Sequence, residues 1–202
     1  MTVPRTPTEV RCQLLHAGFS PLPLNGKVPV IDAWQKHHDT TEHEIGYWSR
    51  THPAAQNTGI LTRLTPTFDI DIRDPYAAAA VERLVRDRFE DKGRILVRFG
   101  NAPKRCIPFQ TIEPFPKLLR LFGDADTPAK DCEKLEFLCD GQQVVVDGVH
   151  PDTGKPYSWF DGAPGQIKHD DLPPIRAEEA QALVDDADRL LVEEFGFRLK
   201  PA

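Results

Sequence analysis

The sequence predicts an α+β domain in which helices flank a mostly antiparallel sheet. Three observations carry that expectation. Four stretches place apolar residues at helical spacing. Several short β-rich runs lie between Gly, Pro, Asn and Asp punctuation. The 19 prolines in 202 residues argue against a helical bundle. With 40% hydrophobic and 28% charged residues, the chain has the composition of a soluble globular protein. Its length suits a single domain over 1–202, with a core at about 6–175 and a terminal helix at about 177–195.

The first helix, about 6–18, has Thr6 or Thr8 to cap it, a face of Val10, Leu14 and Leu15, and Gly18 to stop it. A short strand follows, ending at the Asn25-Gly26 turn; Lys27-Val-Pro then enters a loop reaching Trp34. Thr40 or Thr41 with Glu44 forms a capping box for a helix that aligns Ile45 with Trp48 and ends before Pro53. Asn57 to Thr62 and Thr67 to Arg73 read as strands, and Pro75 to Phe89 as a helix packed back on the second of them. Strand candidates follow at Arg94–Phe99, Cys106–Phe109, Leu118–Phe122, Lys134–Leu138 and Gln142–Asp147. A final amphipathic helix, Ala177 to Phe195, offers Ala180, Leu183, Val184, Leu190 and Leu191 for packing and stops at Gly196.

A net charge of −6 excludes a protein that coats nucleic acid with its whole surface. Positive charge is nevertheless concentrated between Lys92 and Arg120, where Lys92, Arg94, Arg98, Lys104, Arg105, Lys117 and Arg120 face only Glu113 among acids. Cys12, Cys106, Cys132 and Cys139 have no zinc-ligand spacing. No signal core or membrane-spanning run is present, so a cytoplasmic protein with reduced thiols and no membrane partner is expected.

The chemistry concentrates in Thr67-Phe-Asp-Ile-Asp-Ile. Residues two apart on a strand share a face, which puts the Asp69 and Asp71 carboxylates about 6–7 Å apart. Their alternates Phe68, Ile70 and Ile72 bury the other face. Two such charges repel unless a cation joins them, and oxygen ligands suit Mg²⁺ or Mn²⁺. Alternating acids on a merely solvated strand are the plainer explanation. Two-metal nucleotidyl transfer needs a further carboxylate, for which Glu136, between Leu135 and Phe137, is the candidate. Asp140, beside Gly141, reads more simply as a turn residue, and Asp147 also competes.

Taken in order, these segments resemble the N-terminal domain of bifunctional DNA primase/polymerases, in the archaeo-eukaryotic primase superfamily. The resemblance rests on Gly18-Phe-Ser-Pro-Leu-Pro-Leu-Asn-Gly-Lys-Val-Pro29, on Trp34, Trp48, Pro53 and Asn57-Thr-Gly-Ile60, and on Phe68-Asp-Ile-Asp-Ile72. It continues through Val97-Arg-Phe-Gly-Asn-Ala-Pro-Lys-Arg105, Leu135-Glu-Phe-Leu-Cys-Asp-Gly-Gln-Gln-Val-Val145 and Gly148-Val-His-Pro-Asp-Thr-Gly-Lys-Pro-Tyr-Ser-Trp159. It implies a primase-type catalytic domain, an α/β unit beside a sheet related to RNA-recognition modules, with an active-site cleft between them.

By the same resemblance Asp69, Asp71 and Glu136 would hold two Mg²⁺ or Mn²⁺ ions. The second motif and the surroundings of His150 would meet the triphosphate. Many members carry Ser-x-His in the second motif where this chain has Asn-Ala-Pro-Lys-Arg, so Lys104 and Arg105 would supply the positive charge there. Asn101 and Lys27 are weaker nucleotide-binding candidates; Lys27 reads more plainly as a solvated turn residue, and His150 as a surface or capping residue whose position after the Glu136 strand favours a contact if its loop folds over the cleft. Trp34 and Trp48 read as core anchors; Tyr157 and Trp159 suit either packing or base stacking.

The activity expected is template-directed transfer of dNMP or NMP in DNA replication, with single-stranded DNA as template. A replicative helicase would act in trans or from a longer chain, since no Gly-x-x-x-x-Gly-Lys-Ser/Thr occurs. Two other readings stay open at this point: a non-catalytic single-stranded DNA-binding or replication-assembly module of the same fold, and another Asp-x-Asp metal enzyme such as a nuclease or sugar-nucleotide transferase.

Overall fold

The computed structural model describes residues 5–200. Helix α1 (Pro7–His16) begins at a complete capping box, with the Thr6 hydroxyl accepting from the Glu9 amide and the Glu9 carboxylate accepting from the Thr6 amide. Gly18, at φ +88°, turns the chain into β1 (Pro21–Asn25). Thr41 and Glu44 form the second capping box, opening α2 (Glu42–Thr51), whose Ile45 and Trp48 are buried as the spacing requires. Strands β3 (Asn57–Leu61) and β4 (Thr67–Asp71) precede α3 (Pro75–Phe89), which is capped by Asp74. Then come β5 (Val97–Phe99), β6 (Arg105–Pro108), β7 (Leu118–Phe122), β8 (Glu133–Leu138) and β9 (Gln143–Asp147), and the chain closes with α4 (Ala177–Phe195).

Three details differ from the sequence expectation. The Asn25-Gly26 turn closes a hairpin to a two-residue β2 (Val28–Pro29), where a loop was expected. A short β10 (Ser158–Phe160) pairs with β5; three residues give no alternation to read. Strand β5 starts three residues late because Arg94 donates to the Asp171 carbonyl and Gly93 lies against the Leu172-Pro173 backbone, which draws this stretch away from the sheet.

The expected single sheet is in fact two. A four-stranded sheet has the order β2-β1-β3-β9, and a six-stranded one the order β10-β5-β6-β4-β8-β7, with antiparallel pairing throughout. Sequence alone could not separate them, because the same chain feeds both: β3 passes to β4, and β8 to β9, across short turns. At both crossings the Thr62 hydroxyl donates to the Cys139 carbonyl, tying one turn to the other.

The main core lies on one face of the six-stranded sheet. There Phe68, Ile70, Leu135 and Phe137 pack with Val81 and Val85 of α3 and Leu183 and Leu191 of α4. Since β4 alternates strictly, the same packing forces Asp69 and Asp71 onto the opposite face. That face meets the other sheet through Cys106, Leu138, Val144 and Val146. The site therefore sits where the two sheets come together.

Candidate active site

Strand register fixes the neighbours of the acid pair. Asp69 lies opposite Glu136 of β8 on one side and Cys106 of β6 on the other, and Arg98 of β5 continues that row. In the next row Asp71 lies opposite Lys134. Glu136 is thus brought beside the pair as expected, whereas Asp140 sits in the turn near Arg63 and Asp147 lies on the other sheet opposite Thr58.

Each acid has a different electrostatic setting. Burial pushes Asp69 up to about 6; Arg98 draws it down, while Glu136 and Asp71 push it further up. Asp71 bonds Lys104 at 2.5 Å. Burial also opposes ionisation of Glu136, but hydrogen bonds from Lys117 and Lys134 outweigh it and hold that carboxyl below its ordinary value. Lys134 is 2.6 Å from Oε2, and Lys117 takes Oε1.

Asp69 and Asp71 open into a cleft of about 230 Å³ that Lys27, Arg98, Asn101, Lys104, Gln143 and His150 also border. His150 is 6% exposed, and its Nδ1 accepts from the Asp152 amide at 3.3 Å, leaving Nε2 as the donor of the neutral ring. Burial, aided by Lys27, Arg98 and Lys104 and opposed by Asp152, lowers its pKa. Lys27 reaches Asp152 at 3.3 Å.

The two basic residues expected to serve together both border the cleft, but their charged ends part. Lys104 is beside the carboxylates, whereas Arg105 pairs across the sheet with Ile70 and Phe99, which directs its side chain to the helix face. Its guanidinium bonds Glu82 of α3 and lies 5.0 Å over the Phe99 ring. Arg98 holds the corresponding place on the carboxylate face, donating to the Val145 carbonyl of the other sheet and lying 4.9 Å over Tyr157. Elsewhere in the basic segment, Lys92 pairs with Glu179, and Arg120 with Asp185 and Asp188. Trp48 is buried as expected, and Trp34 packs beside Leu22 and Leu24. Trp159 packs with the inter-sheet cluster and donates to the Val146 carbonyl.

Residues 12–175 match the Prim-Pol family, described as bifunctional DNA primase/polymerase, N-terminal. The chain belongs to this family. Prim-Pol membership makes it a primase/polymerase-type nucleotidyltransferase in general terms, and the match contains every cleft residue named above. No curated protein matches the chain.

Two features of this Prim-Pol domain escaped the sequence reading. Arg98 could have been singled out by its alternation with Val97 and Phe99, but only register shows that it shares a row with Asp69. Asn57 fastens two cleft loops together: its Nδ2 donates to the Gly26 carbonyl at 2.9 Å and the Val149 carbonyl at 2.8 Å, and its Oδ1 accepts from the Val149 amide at 2.9 Å. Gly148, at φ +114°, must lack a Cβ, which would stand 2.1 Å from Asn57 Oδ1. Asn57→Ala strands these partly buried groups and is expected to cost about 1–3 kcal/mol, read as a lower melting temperature.

The oxygen donors of Asp69 and Asp71 suit a hard divalent ion. Among the described residues no three His, Cys, Asp or Glu side chains gather closely enough to hold one. Glu136 lies opposite Asp69, but both its oxygens are taken by lysines, and Asp71 is paired with Lys104. Among the described residues no helix is long and apolar enough to cross a membrane, and all four cysteines are free thiols.

Proposed function

We propose that this Prim-Pol domain carries out template-directed nucleotidyl transfer in DNA replication, with Asp69, Asp71 and Glu136 holding two Mg²⁺ or Mn²⁺ ions. The observation that carries the reading is the row formed by Asp69 and Glu136 on adjacent strands, next to Asp71, with both aspartates bordering the cleft of a chain of this family. When bound, the ions supply activation of the attacking 3′-hydroxyl and charge neutralisation at the leaving pyrophosphate.

The chain's own part is to bind and orient. Lys104 and Lys27 meet the triphosphate as point charges, Nε2 of neutral His150 donates to a phosphate or sugar oxygen, and Asn101 borders the same space. Arg98, fixed between the sheets, provides lasting positive charge beside Asp69, while Arg105 acts from behind by tying β6 to α3. A single-stranded DNA template and a dNTP or NTP are the partners, with a helicase in trans or in a longer chain.

The ion pairs on Asp71 and Glu136 favour one second reading, a DNA-binding module without turnover, because they balance the acids with no metal. A gel assay with labelled nucleotide, Mn²⁺ or Mg²⁺, and templates with and without a primer decides between them. Metal-dependent product is expected; DNA binding unaffected by EDTA, with no incorporation, would establish the module instead.

A proton on Asp69 competes with any ion placed there. With the carboxyl pushed up to about 6, Mn²⁺ affinity is expected to fall by up to about tenfold per unit as pH drops below that value, and to level off above it. Calorimetric titrations from about pH 5 to about pH 8 would check this slope.

A further inference from the structure

We propose that the groove between α3 and α4 docks a basic amphipathic helix of a partner protein, on the side of the six-stranded sheet away from the cleft.

The groove follows from how the two helices pack. Arg88 pairs with Asp186, and Lys92, just past α3, with Glu179, so rising positions on one helix meet falling positions on the other and the two lie antiparallel. Val81 and Val85 of α3 and Leu183 and Leu191 of α4 turn to the sheet. The outward valley between the helices is lined by Ala79, Ala80, Leu84 and Leu190 and holds about 810 Å³. The two alanines leave room for close approach, and Tyr76, 79% exposed, stands at one end. From Tyr76 to Asp87 the valley runs about 16 Å at the helical rise, enough for about three turns of a third helix. A helix satisfies its own backbone groups, so it can lie in a valley that offers side chains alone.

Charge selects the occupant. Helix α4 carries seven acids and one arginine, an excess that equals the net charge of −6 of the whole chain. Several of those acids are answered: Glu179 by Lys92, Asp185 and Asp188 by Arg120, and Asp186 by Arg88 and Arg189. Along the groove the balance fails. Among the described residues Asp87, Glu193 and Glu194 border it with no ion-pair partner, against Arg83 as the one unpaired cation there. Such a surplus repels phosphate, so the groove is no path for a template strand. A second copy of the chain would bring the same three acids and the same lone arginine to face them. Lysines or arginines flanking an apolar stripe answer both the acids and the floor. Because α3 and α4 cover the face of the sheet opposite Asp69 and Asp71, a partner held there leaves the cleft open.

The test uses the 202-residue chain and a fluorescein-labelled synthetic helix of about 15 residues, with leucines at i, i+4 and i+7 and lysines beside them, followed by fluorescence anisotropy. Saturable binding is expected, about tenfold tighter or more than for a peptide of the same composition whose order breaks the apolar stripe. Tyr76→Ala and Glu193→Lys/Glu194→Lys are each expected to weaken it about tenfold while leaving the circular dichroism unchanged, since these side chains lie on the surface. The domain alone is expected to sediment as a monomer, and its binding of single-stranded DNA to be the same in Tyr76→Ala. Absence of saturable binding, equal binding of the two peptides, or indifference to both variants would each overturn the docking. A dimer that Tyr76→Ala dissolves would give the groove to a second copy instead, and loss of DNA binding in that variant would give it to the template.

Discussion

Asp69→Asn and Asp71→Asn are each expected to lower metal-dependent nucleotide incorporation by at least about a thousandfold, because each removes a charged oxygen donor from the pair that would hold the ion. Asp69→Asn is expected to do so while making the metal-free protein more stable. The Asp69 carboxyl titrates near 6 in the fold against an ordinary 3.8. The folded chain thus holds this proton more tightly than the unfolded one. The resulting stabilisation is complete below 3.8 and is lost as pH rises through about 6. Above that pH the buried charge is a liability of roughly 2–3 kcal/mol at most. Asparagine carries no such charge. In EDTA the variant should melt above the parent at about pH 8 and converge with it toward about pH 4. A scan of incorporation and melting temperature across pH measures both effects; loss of activity with loss of fold would mean a structural role only.

Phe137→Ala carries the largest expected cost in stability. The ring is fully buried, stacked on Phe68 at 5.2 Å and packed against Phe109 at 5.5 Å and Phe115 at 5.7 Å. Deleting it removes aromatic contacts from three partners and leaves a cavity between the sheet and its helices, at about 3–5 kcal/mol. That is a large fraction of the roughly 5–15 kcal/mol by which domains are stable. The same residue sets the face on which Glu136 points, so core and site are coupled through one strand. Urea denaturation would show the loss as a lower midpoint. Tyr76→Ala, at a side chain 79% exposed, should change stability by less than about 0.5 kcal/mol.

The parts of the fold legible in sequence were those written in local patterns. The second capping box, the bounds of α3 and α4, and the facing of β4 follow from spacing over a few residues, while of the first box only the threonine cap was legible. The division into two sheets was not legible, because it depends on which distant strands pair. β8 and β9 are joined by a tight turn yet belong to different sheets. The same limit applied to the site. Asp69 and Asp71 share a face by strand geometry alone, whereas Glu136 stood out only as the one acid between Leu135 and Phe137, and its place beside β4 is visible only in the register. Arg105 stood next to Lys104 in sequence and lies on the other face, whereas Arg98 is near Asp69 in space through the pairing of three strands. The lysines on Glu136 are in the same position: their role depends on long-range packing, so composition showed the charge without its target.

Crystals soaked with Mn²⁺ and a dideoxynucleoside triphosphate, with diffraction recorded at the manganese absorption edge, test the central assignment most directly. The account predicts an anomalous peak within coordination distance of both Asp69 and Asp71, and a second reached by Glu136. Manganese bound elsewhere, with both aspartates free of metal, would contradict it.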